Sequence, residues 1–311
     1  MSDEQRLIDS LRAIARHPAA RGLADDAAVL PSPLGRDLVL THDMLVEGVH
    51  YLAGDPPGDV AWKLLAVNLS DLAAKGAEPI GVLMGYGLTG RPGWDDEFIA
   101  GLARALDHFG VPLLGGDTVA QPHGDARVLG LTAIGQVAPG GAPDRRGAQA
   151  GDLLVLTGPV GDAGIGLAMA RGEITGPRRL LKAYRLPMPR LAEGRALAPL
   201  AHAMADVSDG LLIDAGRIAA ASGLAVTIDL DAVPLSDEAR GFGEDRAARL
   251  AAVTAGDDYQ LIAAVPLDRR AAAERNGVVV GRFESGTGLH LVDRTGPVPL
   301  PATLGYEHRA G

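Results

Sequence analysis

The sequence contains no cysteine. Disulfides, thiolate zinc sites and cysteine nucleophiles are therefore excluded. Aromatic residues make up only 4% of the 311 residues, so the core must be built mostly from Ala, Leu, Val and Ile. Positive charge is also scarce: 29 Lys and Arg face 39 Asp and Glu, for a net charge of -10. That balance argues against a nucleic-acid surface, which needs basic patches. It leaves nucleotides open, because bound metal ions invert the local charge. The apolar runs are too short to span a bilayer. The N-terminal "MSDEQRLIDSLRAIARH" has early acidic residues and no apolar h-region, so it does not read as a targeting segment. A cytoplasmic protein without a membrane partner is the expectation.

What is present is a soluble globular profile, 47% hydrophobic and 22% charged, long enough for two domains. The N-terminal segment reads as an amphipathic helix, with Ser2 and Gln5 as a capping box and Leu7, Ile8, Leu11 and Ile14 on one face. Strands are expected at 37–43, 79–88 and in "VPLLGGD" and "RVLGLTAIGQV", and helices at 59–76 and 95–110, stopped by Gly76 and Gly110. The Gly-, Pro- and charge-rich stretch 138–152 marks the best domain boundary. Beyond it, "LLVLTG", "LAVTIDL", "DYQLIAAV" and "GVVVGRF" read as strands, and "GPVGDAGIGLAMA" as a glycine-rich turn into a helix. "MADVSDGLLIDAGRIAAASG" reads as a strand end followed by a helix capped by Ser208 or Asp209 and stopped at Gly223.

The chemistry-bearing residues are aspartates set against apolar segments. "ADDAAVL" holds Asp25 and Asp26, "THDML" holds Asp43, "NLSDLAA" holds Asp71 and "LLGGDTV" holds Asp117. "ADVSDGLL" holds Asp206 and Asp209, and "AGDDYQL" holds Asp257 and Asp258. Each has an ordinary explanation. Leu64, Asn68, Asp71 and Lys75 share one helix face, which alone reads as a solvated face with an Asp71–Lys75 pair. Gly115, Gly116 and Asp117 could be a Gly-Gly turn with an Asx cap. His42 and His50 match no common zinc spacing. The glycine loop is neither G-x-G-x-x-G nor a Walker A sequence, and Asp162 inside it would repel phosphate. Taken together, so many carboxylates at expected strand ends would repel one another unless cations sit between them. Magnesium takes oxygen ligands and leaves sites for phosphate. The residues therefore point to a multi-Mg²⁺ cradle for a polyphosphate.

The ordered motifs "ADDAAVL", "THDMLVEGVHY", "NLSDLAAKGAEP", "GGDTV", "DVSDGLLID" and "GDDYQL" resemble those of the thiamine-monophosphate kinase family, within the superfamily of aminoimidazole ribonucleotide synthetase. The matches run from about residue 25 to 262, with a further one at "GYEH". The resemblance implies an α/β fold (α+β, with mixed sheets) of two domains and a homodimer built through N-terminal strands. Residues 1–138 would form the Mg/ATP-binding and dimerisation domain. Residues 139–311 would complete the nucleotide and substrate site. By the same resemblance, Asp26, Thr41, His42, Asp43, Asp71, Asp117, Asp206 and Asp209 would coordinate Mg²⁺, His42 through its backbone carbonyl. Asp43 and Asp71 would be the catalytically decisive pair. Gly116, Asp117, Arg145 and Ser208 would contact ATP, and His50, Asp257 and Tyr306 would contact thiamine monophosphate. The chain departs from the family pattern at Ala24 (usually Gly), His42 (Thr), Tyr51 (Phe), Asp257 (Glu) and Gln260 (Glu).

The implied reaction is ATP plus thiamine monophosphate giving ADP plus thiamine diphosphate. The acceptor phosphate has a second pKa of about 6 and is already anionic at neutral pH. No general base is needed, which fits a chain without an obvious catalytic dyad. The alternatives are another ATP-dependent superfamily member, such as aminoimidazole ribonucleotide synthetase, or a metal-dependent phosphohydrolase. A non-catalytic nucleotide-binding module is a further one. A selenophosphate synthetase would be expected to carry an N-terminal Cys or selenocysteine. A hydrogenase-maturation relative would be expected to end in a cysteine motif, whereas this sequence ends "GYEHRAG".

Overall fold

The structure, a computed structural model, describes residues 10–17, 35–88, 90–121 and 126–307. Asp25, Asp26 and the capping-box residues Ser2 and Gln5 lie outside these. The chain divides into two compact units, Met1–Leu72 with Glu78–Pro139, and Ala73–Ala77 with Gly140–Gly311. Among the described residues no helix is long and apolar enough to cross a membrane.

In the first unit, residues 10–14 are helical (α1). Four strands follow: β1 (Asp37–Val46), β2 (Glu78–Leu88), β3 (Leu113–Ala120) and β4 (Val128–Val137). They form a sheet in the order β1-β4-β2-β3, antiparallel except for the β2–β3 pair. Strand alternation sends Val82, Met84 and Tyr86 of β2 and Leu129, Leu131 and Ala133 of β4 into the core. Helices α2 (Pro57–Ala74) and α3 (Pro92–Phe109) belong to the same unit, apart from the last two residues of α2. The scarce aromatics gather here: Trp62 of α2 meets His108 and Phe109 of α3, and Tyr86 meets Phe98. Gly110, at φ +65°, ends α3 as expected.

Helix α2 is not amphipathic with a wet side. Leu64, Leu65, Asn68, Leu69, Ser70 and Leu72 are all 0% exposed. The expected solvated face is therefore corrected: a helix apolar nearly all round is an interior helix. Each of its leucines contributes roughly 1.5–3 kcal/mol by burial.

The second unit is built on a seven-stranded mixed sheet. In chain order the strands are β5 (Leu153–Leu156), β6 (Ala203–Asp206), β7 (Ala225–Asp229), β8 (Leu261–Val265), β9 (Val278–Glu284), β10 (Gly288–Asp293) and β11 (Gly296–Val298). Their spatial order is β11-β10-β7-β9-β5-β8-β6, with only β7–β10 parallel. The central strands are apolar on both faces. Leu154, Leu156, Ile262 and Ala264 join one apolar cluster, together with Leu211, Leu212 and Ile218 of α7 (Leu211–Ala221). Val155, Leu261, Ala263 and Val265 join the other, with Ala73, Ala74 and Leu197. This explains why "LLVL" and "LIAAV" read as continuous apolar runs rather than alternating ones. The unit's other helices are α4 (Asp162–Ala170), α5 (Arg178–Arg185), α6 (Leu191–Leu197), α8 (Asp237–Arg240), α9 (Arg246–Thr254) and α10 (Arg270–Ala273).

Candidate active site

β1 runs on to Val46, so Thr41, His42 and Asp43 lie within the strand and not at its tip. Alternation puts Thr41 and Asp43 on one side. The Thr41 hydroxyl donates to the Asp71 carboxylate of α2. The Asp43 backbone N–H donates to Asn68 Oδ1 at 2.9 Å. Asn68 is oriented in turn by donating its Nδ2 to Leu64 O at 2.9 Å. Asn68 and Asp71 are three residues apart on α2, close enough to bind neighbouring points of one strand. "THDML" and "NLSDLAA" are thus stitched together by polar contacts in an otherwise apolar layer. Sequence reasoning named Thr41, Asp43 and Asp71 but missed the part played by Asn68. The His42 ring turns to the other side, with Nδ1 2.9 Å from Thr132 Oγ1. Lys75 donates to Pro143 O (3.1 Å) and Met204 O (3.4 Å) in the second unit's part of the chain.

Asp117 also lies within a strand, which corrects the Gly-Gly turn and the strand-end placement. A Cβ at Gly116 would stand 1.9 Å from Met84 O, so glycine there is required by the close approach of β2 and β3. The register puts Asp117 in one row with Gly85, Gly130 and Met44. Three inter-strand steps, about 14 Å, therefore separate it from β1. Its carboxylate accepts the Thr118 N–H at 2.9 Å, and the residue is exposed.

In the second unit Asp206 does end its strand, and it is buried. The loop after it is held by a residue the sequence reading did not weigh. The N–H groups of Ser208, Asp209 and Gly210 all donate to Asp214 Oδ2, at 3.1, 3.0 and 3.3 Å. Neither Ser208 nor Asp209 caps α7; the cap residue is Gly210, without a side-chain bond. A carboxylate inside the first turns gathers the free N–H groups instead. Arg217 Nη1 bridges Asp209 Oδ2 (2.5 Å) and Asp214 Oδ1 (2.8 Å). Burial pushes the Asp214 carboxyl up, against the pull of the backbone N–H and of Arg217.

Asp257 and Tyr259 are the only non-glycine residues at positive φ among those described, at +68° and +49°. Each costs roughly 1–3 kcal/mol of local strain, a feature that clusters at functional sites. The turn is fixed by Asp257 N–H to Ser208 O and Tyr259 N–H to Val207 O, both 2.8 Å. Tyr259 Oη donates to Asp257 Oδ1 at 2.9 Å. Tyr306 N–H donates to Asp209 O at 2.9 Å, and its ring is exposed. Ser208, Asp209, Asp257 and Tyr306 therefore meet in one set of linked loops. Arg145 is exposed in a 3-10 turn at 145–147, its carbonyl accepting from Ser222 Oγ at 3.3 Å.

The glycine-rich turn before α4 is already filled by protein. Asp258 accepts from Gly161 N–H (2.7 Å) and Ala163 N–H (3.3 Å), where an anion would otherwise sit. Asp162 accepts from Ser236 Oγ at 2.5 Å. Burial raises the pKa of both carboxyls. Gln260 is equally structural in its contacts, accepting from Thr157 Oγ1 (2.9 Å) and Arg190 Nε (3.0 Å).

Among the described residues no three His, Asp or Glu side chains are grouped closely enough to hold a metal ion by themselves. Of the named oxygen donors, Thr41 and Asp71 are hydrogen-bonded to each other, with Asp43 two residues on along β1. In the second unit Asp206 ends β6, and Asp209 and Asp257 lie on the linked loops. Asp117 stands apart.

Comparison with known proteins shows the family of the chain. The family AIR synthase related protein matches through its N-terminal domain at residues 24–137 and its C-terminal domain at 149–293. The chain belongs to that family. A thiamine-monophosphate kinase of Caulobacter vibrioides is 41% identical over 308 residues, covering 94% of this chain and 86% of the relative. The crystal structure of thiamine-monophosphate kinase from Stenotrophomonas maltophilia superposes with a TM-score of 0.82 at 36% identity, covering 92% and 94% of the two chains. The structure of AaThiL complexed with AMPPCP and TMP superposes with a TM-score of 0.78 at 26% identity, covering 98% and 97%.

Proposed function

We propose that this chain transfers the γ-phosphoryl group of ATP to thiamine monophosphate, yielding ADP and thiamine diphosphate. The observation that carries the reading is the Thr41–Asp71 and Asp43–Asn68 stitching, in a chain 41% identical to a thiamine-monophosphate kinase over 94% of its length. Two motifs, joined by bonds between residues 30 and 25 apart along the chain, supply the oxygen donors. That is the hard-ligand chemistry magnesium requires, and one or two carboxylates per ion suffice when substrate phosphates supply the rest. Thr41, Asp43 and Asp71 would hold Mg²⁺ in the first unit, and Asp206 and Asp209 in the second. Asp26, Asp117 and the His42 carbonyl belong to the same proposed ligand set. When bound, the ions neutralise charge on the two phosphate groups that must approach each other.

The protein's own part is orientation. Asn68 and the β1 backbone fix the height of Asp43, and Thr41 fixes the Asp71 carboxylate. Gly116, required by the close approach of β2 and β3, forms with Asp117, Arg145 and Ser208 the proposed ATP contacts. His50, Asp257 and Tyr306 form the proposed thiamine monophosphate contacts. The acceptor oxygen is already ionised, so no side chain has to remove a proton. Transfer is direct, without a phosphoenzyme. Turnover of ATP made chiral at the γ-phosphorus tests this step: inversion is expected, and net retention would refute it.

The exposed apolar row Leu38, Leu40 and Met44 on β1 supports a homodimer formed through this sheet. Residues 1–138 would then carry dimerisation and Mg/ATP binding, and residues 139–311 would complete the site. A cytoplasmic location fits the chain's composition.

A further inference from the structure

Lys63 lies in the middle of α2 and is only 2% exposed. Lysine is rarely buried so deeply, because a desolvated ammonium is costly unless it is hydrogen-bonded. Its Nζ donates to the carbonyl oxygen of His50 at 2.9 Å. His50 closes a tight loop after β1. Its own N–H donates to Val46 O at 2.9 Å, and Val46 N–H donates to its ring Nδ1 at 3.0 Å. A backbone N–H can only donate, so Nδ1 is the accepting nitrogen and the ring proton resides on Nε2. The loop's other side is closed by Gly48 N–H to Tyr51 O at 2.8 Å.

We propose that Lys63 is a positioning residue for thiamine monophosphate. It clamps the His50 loop so that His50 offers a fixed Nε2–H donor to the substrate. This rests on His50 being a substrate contact, as the proposed function has it. Packing alone would be served by an apolar side chain of similar volume; only the ammonium reaches the loop.

The test combines Lys63→Met, His50→Ala and the double variant in steady-state kinetics. Lys63→Met is expected to raise KM for thiamine monophosphate about tenfold, the loss of one positioned hydrogen bond. KM for ATP and kcat should stay within about twofold. Added to His50→Ala, the substitution should raise KM no further, since the two act through one contact. Full additivity, or a fall in kcat with both KM values rising, would overturn the proposal. Should Lys63→Met fail to fold, Lys63→Leu, which also lacks a donor, is read the same way. Side-chain nitrogen shifts of ¹⁵N-labelled His50 in the free protein give a second reading. The Nε2–H tautomer is expected in the parent and an averaged signal in Lys63→Met; an unchanged spectrum would overturn the proposal. If the parent forms no ADP with thiamine monophosphate, the proposed function falls, and this spectrum still decides the role of Lys63.

Discussion

The two units hold their proposed metal- and substrate-binding residues in different ways. In the first, Thr41, Asp43 and Asp71 sit within a strand and a largely buried helix, and regular backbone geometry sets their spacing. In the second, Asp206 ends a strand and Asp209 and Asp257 sit on loops. There a second tier of acids does the holding: Asp214 gathers three N–H groups, and Asp258 gathers two. The lesson is that aspartates of the same type divide into those presented and those that present. Only the former should answer to substrate and metal; the latter should answer to stability.

This division can be broken most directly at Asp71. Asp71→Asn keeps an acceptor for Thr41 and should retain the fold, yet lose about 10²–10³-fold in kcat, the scale for removing one electrostatic group from a phosphoryl-transfer site. Asp43→Asn should behave alike. Near-full turnover in Asp71→Asn, measured by coupled ADP release, would refute its place among the presented acids. At Asp214 the pattern should invert. Asp214→Ala leaves three N–H groups without their acceptor and Arg217 with Asp209 alone, and should cost about 3 kcal/mol of stability in urea unfolding. Gly116→Ala tests the close approach of β2 and β3, and should cost about 1–3 kcal/mol through overpacking; an unshifted thermal midpoint would contradict it.

The subtlest effect is the pH dependence of Asp258. Burial raises its folded-state pKa well above the ordinary aspartate value of 3.8. The folded protein then holds a proton that the unfolded chain releases. The stabilisation is full below pH 3.8 and is lost as pH rises through the folded-state pKa. Urea unfolding of the parent and of Asp258→Asn between pH 4 and 7 should therefore show the parent losing stability relative to the variant as pH rises. A parent that gains on the variant would reverse the sign.

Much of this was legible in the sequence, and the failures share causes. The strands and main helices were readable because apolar runs and the glycine stops at Gly110 and Gly76 carry their own punctuation. Asp43 and Asp117 were misplaced at strand ends because a polar residue inside a strand, beside Asn68 of α2 for Asp43 and exposed for Asp117, looks in sequence like the tip of a strand. The polar residues Asn68 and Asp71 made α2 look half-wet; their partners on β1 are nearly thirty residues away, beyond any local pattern. Asp214 was passed over because capture of preceding N–H groups by a carboxylate inside the helix has no fixed spacing as recognisable as a capping box. Asp162 already argued against phosphate at the glycine loop, but only the fold reveals Asp258, almost a hundred residues on, occupying its N–H groups. The strained pair Asp257 and Tyr259 had no sequence signal at all, since neither is a residue type that marks positive φ as glycine does.

The central claim is that the cluster of aspartates serves phosphoryl transfer onto an existing phosphate group. ADP release should be compared with thiamine monophosphate, thiamine, an aminoimidazole ribonucleotide precursor and water as acceptors, each with ATP and Mg²⁺. The account predicts ADP formation with thiamine monophosphate, matched by equimolar thiamine diphosphate, and only background with the others. Equal ADP release with water alone, or release confined to the aminoimidazole precursor, would contradict it.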